Sequence, residues 1–285
     1  MSMIIKIRAL NALIRLLQRT IQRVGGDVGT RILAHMSGEI VPVVSERTDH
    51  GMIHFYCPGT LPVYRAKTLL TKEPETIQWI DGFNKGDVLW DIGANVGVYS
   101  LYAALRGSPV VAFEPSPGNY YLISKNVEIN EMDTQISVYC IAFSNETGLD
   151  HFCMANTEIG GALNSFGEAI DQYGNTYSGY FRQATVGFSI DEFVEKFDPL
   201  FPNHIKIDVD GLEDSIIDGG NTTLSDQRLK SLLVELDTER QEYAGEVIDK
   251  LRGHGLELAV YNTEGYAGCG KEEGPRLRNH IFVRT

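Results

Sequence analysis

The 285-residue sequence predicts an α/β protein in which a parallel sheet is covered by helices on both faces. Three observations carry that expectation. From residue 73 onward, short apolar runs alternate with stretches of helical periodicity, as in consecutive strand–helix–strand units. The stretch Val88 to Leu101, VLWDIGANVGVYSL, reads as a buried strand, a glycine turn and the start of a helix. The segment His204 to Gly211, HIKIDVDG, reads as a second strand whose alternation sets Ile205, Ile207 and Val209 on one face and Lys206, Asp208 and Asp210 on the other. With 43% apolar residues the chain can bury one main core.

Taken in order, residues 1–24 place Leu10, Leu13, Ile14, Leu17, Ile21 and Val24 at helical spacing beside Lys6, Arg8, Arg15, Arg19 and Arg23, with no acid. This is a basic amphipathic helix, interrupted by charge too often for a transmembrane span or a signal-peptide core. Two roles fit it: packing on its own domain or on a second subunit, as in a homo-oligomer, or peripheral contact with an anionic membrane. Removing these five cations from the net charge of −13 leaves −18 on the remainder. Between Gly38 and Leu70, the apolar segments 40–44 and 52–56 predict an antiparallel hairpin. Residues 1–72 are therefore expected to be a small helical and β extension, and 73–285 the main domain.

Glu73-Pro74-Glu75 opens a helix running to Phe83, with Pro74 near its first position. Strands are expected near 87–92, 109–114, 136–141, 204–209, 230–236, 256–261 and 279–283, and helices near 97–105, 117–130, 189–197, 213–219 and 239–252. Ser189 with Glu192 is a capping-box signature for the helix at 189. Met154 to Arg182 breaks the alternation; rich in Gly, Asn and Tyr, it reads as a long loop, either a lid over a polar, sugar-like substrate or a mobile surface insertion.

The glycine turn carries the chemistry. Gly93 and Gly97 allow close backbone approach, and Asn95 is a residue that tolerates positive φ. Glu114, at the end of the next apolar run, is placed to accept both hydroxyls of a ribose, which points to a nucleoside-bearing cofactor. A dinucleotide fingerprint sets glycines against a pyrophosphate, but here the pattern is D-x-G-x-N-x-G, and the Asp91 carboxylate would repel that group. It suits the ammonium of S-adenosylmethionine. The expected cofactor set is Asp91, Gly93, Ala94, Asn95, Gly97, Glu114, Pro115, Ala142 and Asp208.

This pattern, with an acid one strand later, resembles motif I of class I S-adenosylmethionine-dependent methyltransferases. Together with the IKIDVDGLE segment, the VELD strand and the closing NHIFV strand, residues 75–285 resemble the FkbM family. The resemblance implies a Rossmann-like class I methyltransferase fold, a seven-stranded and mostly parallel sheet whose last strand, 279–283, runs antiparallel. It also implies O-methylation of hydroxyls on sugars and natural products. Members often carry Glu where this chain has Asp210.

A buried Lys206 and two carboxylates need partners, and Glu235 is the expected partner of Lys206. Asp208 is the first choice for the base that takes the acceptor's proton, with Asp210 as its partner and Lys206 as support. The alternative is that both acids cap the following helix or orient the substrate. No metal is expected, although Asp208, Asp210 and Glu213 are oxygen donors of the kind Mg²⁺ takes. None of the seven histidines falls in a zinc pattern, and His204 and His280 read as hydrogen-bonding strand residues.

The net charge argues against a nucleic-acid partner, and the absence of a [DNS]-P-P-[YFW] motif argues against methylation of base amines. Cys57, Cys140, Cys153 and Cys269 form no C-x-x-C pair and read as reduced thiols of a cytoplasmic protein, soluble or peripheral to the inner face of a membrane. The expected activity is methyl transfer from S-adenosylmethionine to a hydroxyl of a small-molecule or glycan acceptor. A nicotinamide-dependent oxidoreductase or epimerase would need a Tyr-x-x-x-Lys pair in the appropriate helix pattern. A non-catalytic binding module is the third reading, and the intact Asp91, Gly93, Gly97, Glu114 and Asp208 argue against it.

Overall fold

The computed structural model describes residues 3–23, 26–169, 173–237, 239–259 and 277–285. Two compact units divide the chain, Met1–Val43 and Val44–Thr285. The first is a pair of helices, α1 (Met3–Arg23) and α2 (Gly26–Glu39). α1 is the expected amphipathic helix, whereas α2 falls where the sequence reading assigned no element. A Cβ on Gly29 of α2 would overlap the Ile21 carbonyl of α1, so a glycine sets the closest approach of the two helices.

The larger unit opens with the expected hairpin, β1 (Val43–Thr48) and β2 (Gly51–Tyr56), followed by α3 (Thr60–Lys67). Ile53, Phe55, Cys57, Ala66 and Leu69 of this region are buried in the main core. The break in the chain therefore falls at 43/44 rather than at 72/73, and the hairpin is part of the main unit.

Next come α4 (Pro74–Asp81), β3 (Leu89–Ile92), α5 (Val98–Arg106), β4 (Val110–Phe113), α6 (Pro117–Ile129) and β5 (Ile136–Tyr139). The free edge of β2 is satisfied by side chains of α6: the amides of Tyr56 and His54 donate to Asn126 Oδ1 and Asn130 Oδ1 at 2.8 and 2.9 Å. Then follow β6 (Ala142–Phe143), β7 (Gly148–Met154), β8 (Asn164–Phe166), β9 (Phe181–Phe188), α7 (Ile190–Phe197) and β10 (His204–Ile207). The chain closes with α8 (Glu213–Asp218), α9 (Asn221–Ser225), β11 (Ser231–Asp237), α10 (Gln241–Gly253), β12 (Leu256–Leu258) and β13 (Leu277–Arg284). The Glu192 amide donates to Ser189 Oγ at 3.2 Å, the capping predicted for α7. Strand residues 260 and 261 and Cys269 lie outside the described residues.

The main sheet has seven strands in the order β12-β13-β11-β10-β3-β4-β5. β3, β4, β5, β10 and β11 pair in parallel, and β13 runs antiparallel to both neighbours. Strand alternation sorts the core into two layers. Leu89, Val110, Ala112 and Leu233 face α4, α5, α6 and the hairpin. Trp90, Ile92, Val111, Phe113, Ile205, Ile207 and Val234 face α7, α8, α9 and α10. On the first face the strands turn from apolar to ionic toward their carboxyl ends, where Asp91 lies level with Lys206.

The described residues of 154–182 are not all loop. They carry β8 and the start of β9 within a second, four-stranded sheet ordered β6-β9-β7-β8, in which β7 and β9 pair antiparallel. The reading missed it because β9, FRQATVGF, buries only Thr185 and Gly187 deeply and so shows no apolar alternation.

Candidate active site

The turn after β3 is held by positive φ at Gly93, Asn95 and Gly97, of 84°, 51° and 80°. Its amides are not bare. Those of Gly93 and Ala94 both donate to the Phe113 carbonyl at 3.0 Å, Gly97 donates to the Ala94 carbonyl at 2.8 Å, and Asn95 donates to Glu114 Oε2 at 2.8 Å. A turn whose amides already serve the fold is a poor pyrophosphate cradle. The two glycines serve packing: a Cβ on Gly93 would overlap the Asp208 carbonyl of the neighbouring chain segment, and one on Gly97 would meet Ile123 Cγ1 of α6 at 2.5 Å. Gly97 thus admits α6 rather than a ligand.

Glu114 is buried at the end of β4, and its other oxygen accepts from the Ser116 amide at 2.8 Å. Burial pushes its carboxyl up to about 7 against the pull of those two amides. A cavity runs from Gly93 and Asn95 past Glu114, Pro115 and Asn119 to Ala142, with Phe113, Phe143, Phe152 and Phe166 along its walls. Its lining, four aromatic rings with a carboxylate among them, has the mixed apolar and polar character that a nucleoside takes.

Beside it, buried charges gather on the sheet's first face. Lys206 Nζ donates to Asp208 Oδ2 at 2.6 Å, so Lys206 pairs with the residue just past the end of its own strand rather than with Glu235; residues two apart share a face. Lys72 donates to Glu73, the residue before α4. Burial would raise Asp208, but Lys206 and Lys72 outweigh it and hold its carboxyl below the usual range. Glu235 is raised by burial and by the charges of Asp208 and Glu73. Asp91 is raised by burial; its Oδ2 accepts from Ser100 Oγ at 2.5 Å while its buried Oδ1 has no partner.

Asp210 stands apart electrostatically. β10 ends at Ile207, and a left-handed φ of 62° at Asp210 ends the simple alternation expected there. Its Oδ2 accepts from the Leu163 amide at 2.6 Å, and burial together with Asp208 raises its carboxyl to about 6. A second cavity, open to Tyr64, Arg65, Lys72, Leu163, Tyr173 and Glu235, shares Gly93, Asn95, Asp208 and Asp210 with the first.

The segment 158–163 closes over the turn. Asn95 Nδ2 and Asn119 Nδ2 donate to the Gly161 carbonyl at 2.8 and 3.2 Å. Arg65 Nε donates to the Gly160 carbonyl, and the Gly160 amide donates to Asn119 Oδ1, both at 2.7 Å. Arg65, Lys72, Glu73 and Asn119 were not singled out from sequence as site residues; the Pro117-Gly118-Asn119 opening of α6, three residues after Glu114, was the available signal for Asn119.

Other candidates fall away from the site. His204 lies between Ser231 Oγ at 2.7 Å and Asp87 Oδ2 at 3.1 Å, with burial lowering it to about 4, and His280 Nδ1 contacts the Arg278 carbonyl at 3.0 Å. Glu213 accepts from the Gly211 amide and the Tyr243 hydroxyl at 2.9 and 2.8 Å. Among the described residues, no group of three or more His, Cys, Asp or Glu side chains is arranged to hold a metal ion. Tyr121 and Lys125 do have Tyr-x-x-x-Lys spacing on α6, but Tyr121 is exposed and Lys125 pairs with Glu128 at 2.8 Å.

This strand order, with one antiparallel strand beside the edge and an acid-bearing glycine turn at the carboxyl ends, defines a class I methyltransferase. Residues 91–258 match the family described as the methyltransferase FkbM domain, and the chain belongs to that family. The hexuronic acid methyltransferase AglP of Haloferax volcanii is 24% identical over 195 residues, covering 68% of this chain and 74% of that protein. The crystal structure of methyltransferase FkbM from Methylobacillus flagellatus superposes with a TM-score of 0.48 at 13% identity, over 75% of this chain; the chain spans about half, 48%, of that one. TrmK of M. capricolum, in complex with S-adenosylhomocysteine, gives 0.40 at 12% identity over 74% of this chain and 67% of that one.

The family implies S-adenosylmethionine, and the residues present fit it. The unpartnered Asp91 Oδ1 is a free acceptor of the kind a methionine ammonium needs, and the aromatic-lined cavity at Glu114 suits adenosine.

Proposed function

We propose that the protein transfers a methyl group from S-adenosylmethionine to a hydroxyl of a saccharide or similarly polar acceptor, with acidic sugars favoured. One observation carries the reading: Asp208 and Asp210 line both cavities, so two carboxylates stand at the junction between an aromatic-lined cavity and a polar, open one. Asp91, the Gly93–Asn95 turn, Glu114, Pro115 and Ala142 would hold the cofactor, which supplies an electrophilic methyl group when bound. Arg65 and Lys72, in the wall of the second cavity, support an acceptor carboxylate there, in keeping with the hexuronic acid named for the Haloferax relative.

The protein's part is to hold the acceptor hydroxyl in line and to take its proton. Asp210 is better suited to the second task than Asp208, because a carboxyl near 6 is ionised at neutral pH yet basic enough to share a proton, whereas Asp208 is held low by two lysines. Asp208 then positions the acceptor as a fixed anion. The free Cys57, Cys140 and Cys153 support a reducing, cytoplasmic setting.

Incubation with labelled S-adenosylmethionine and a panel of uronic acids, neutral hexoses and amines tests this, with NMR locating the new methyl. An O-methyl ether on a uronic acid, formed with kcat/KM at least about tenfold above the matching neutral hexose, is the expected result. A methyl on nitrogen, or none on any sugar, would overturn it.

A pH series tests Glu114. Calorimetric affinity for S-adenosylhomocysteine should strengthen as pH rises through about 7, where this carboxyl ionises. Glu114→Gln should lose that slope and bind roughly 10- to 100-fold more weakly, as loss of a charge-assisted hydrogen bond requires. A parent affinity flat between pH 6 and 8 would remove Glu114 from the ribose.

A further inference from the structure

α1 carries two opposed surfaces. Leu10, Leu13, Ile14 and Leu17 follow helical spacing and are 56%, 61%, 51% and 49% exposed. Arg15, Arg19 and Arg23 recur every four residues on the other side, also exposed, and the first 24 residues contain no acid. α2 meets α1 closely at Ile21, beyond the end of this leucine stripe. At 21 residues the helix is about 30 Å long at the usual 1.5 Å rise. No described helix is long and apolar enough to cross a membrane.

We propose that α1 docks on an anionic lipid bilayer, lying in the interface with its leucine stripe in the acyl boundary and its arginines among the headgroups. The charge distribution selects this occupant. A row of cations without one acid is complementary to phosphate headgroups. The remainder of the chain, at −18, is repelled by such a surface, so attachment is confined to α1. A stripe of four large apolar side chains is too wide to be an incidental exposure.

Flotation of the full chain with vesicles of phosphatidylcholine alone, and of phosphatidylcholine with an equal share of phosphatidylglycerol, tests the proposal. Binding to the anionic vesicles should exceed binding to the neutral ones by at least about tenfold and weaken with added salt. Arg15→Gln, Arg19→Gln and Arg23→Gln together should lower it about 10²-fold, at about fivefold per cation. Leu13→Gln with Leu17→Gln should abolish it. Both variants should keep the parent's thermal midpoint, since these side chains are exposed. Three results would overturn the proposal: no flotation with either vesicle, equal binding to both, or self-association of the unbound parent that the leucine variant loses, which would assign the stripe to a second copy.

Discussion

Asp210→Asn is expected to lower turnover roughly 10²- to 10⁴-fold while leaving S-adenosylhomocysteine affinity nearly unchanged. Asparagine keeps the oxygen that accepts from the Leu163 amide and tolerates the φ of 62° at this position, so little besides basicity is lost. In the parent at saturating S-adenosylmethionine, kcat/KM for the acceptor should climb with pH through about 6 and then level off, because only the ionised carboxyl can take a proton. Asp208→Asn should act differently. It strips the charge from the 2.6 Å partner of the buried Lys206, which should destabilise the fold by about 3 kcal/mol and lower the midpoint by roughly 6 to 12 °C. It should also move the rate inflection to lower pH, since the Asp208 charge helps to raise Asp210. Steady-state rates and thermal scans on both variants decide the assignment. Full turnover in Asp210→Asn, with collapse in a stably folded Asp208→Asn, would return the base to Asp208.

Gly93→Ala is expected to be the most damaging single methyl added to the molecule. The new Cβ would overlap the Asp208 carbonyl, a backbone atom held between neighbouring strands, and the residue would sit at a φ of 84°. Strain and overpacking together should remove about 3 to 5 kcal/mol. Gly86→Ala is the control: its φ is 85°, but nothing lies within 4 Å of an added Cβ, so only backbone strain of about 1 kcal/mol should appear. Denaturant melts of the two variants separate the terms. Equal losses would mean that the contact between the turn and Asp208 relaxes freely.

Much of this was readable from residue types because each level agreed. The buried strands are short apolar runs, Ser189 caps its helix, Pro74 opens another, and Asn95 occupies the one non-glycine left-handed position in the turn. Asp91, Glu114 and Asp208 were legible as a candidate site because carboxylates at the carboxyl ends of adjacent strands have few structural reasons to be there. The partner of Lys206 was misread because sheet neighbours were weighed above the same-face residue two positions on. The role of Gly97 was misread because a glycine that admits a helix and one that admits a ligand look alike in sequence. α2, α3 and the second sheet were missed for want of periodicity: in the second sheet the polar and apolar residues follow pairings made across the chain rather than a local repeat.

The segment over the turn is held through its backbone. Asn95, Asn119, Arg65 and Asp210 all address the carbonyls or amides of Gly160, Gly161 and Leu163, and none of these bonds reads a side chain of the segment. The glycines that carry these bonds are nevertheless fixed in identity: Gly160 holds a φ of 83°, and a Cβ on Gly161 would come within 2.8 Å of the Glu158 carbonyl. Variation is thereby confined to positions such as Glu158, Ile159 and Ala162, whose side chains none of these bonds uses, so the surface beside the two cavities can change there without unfastening the segment.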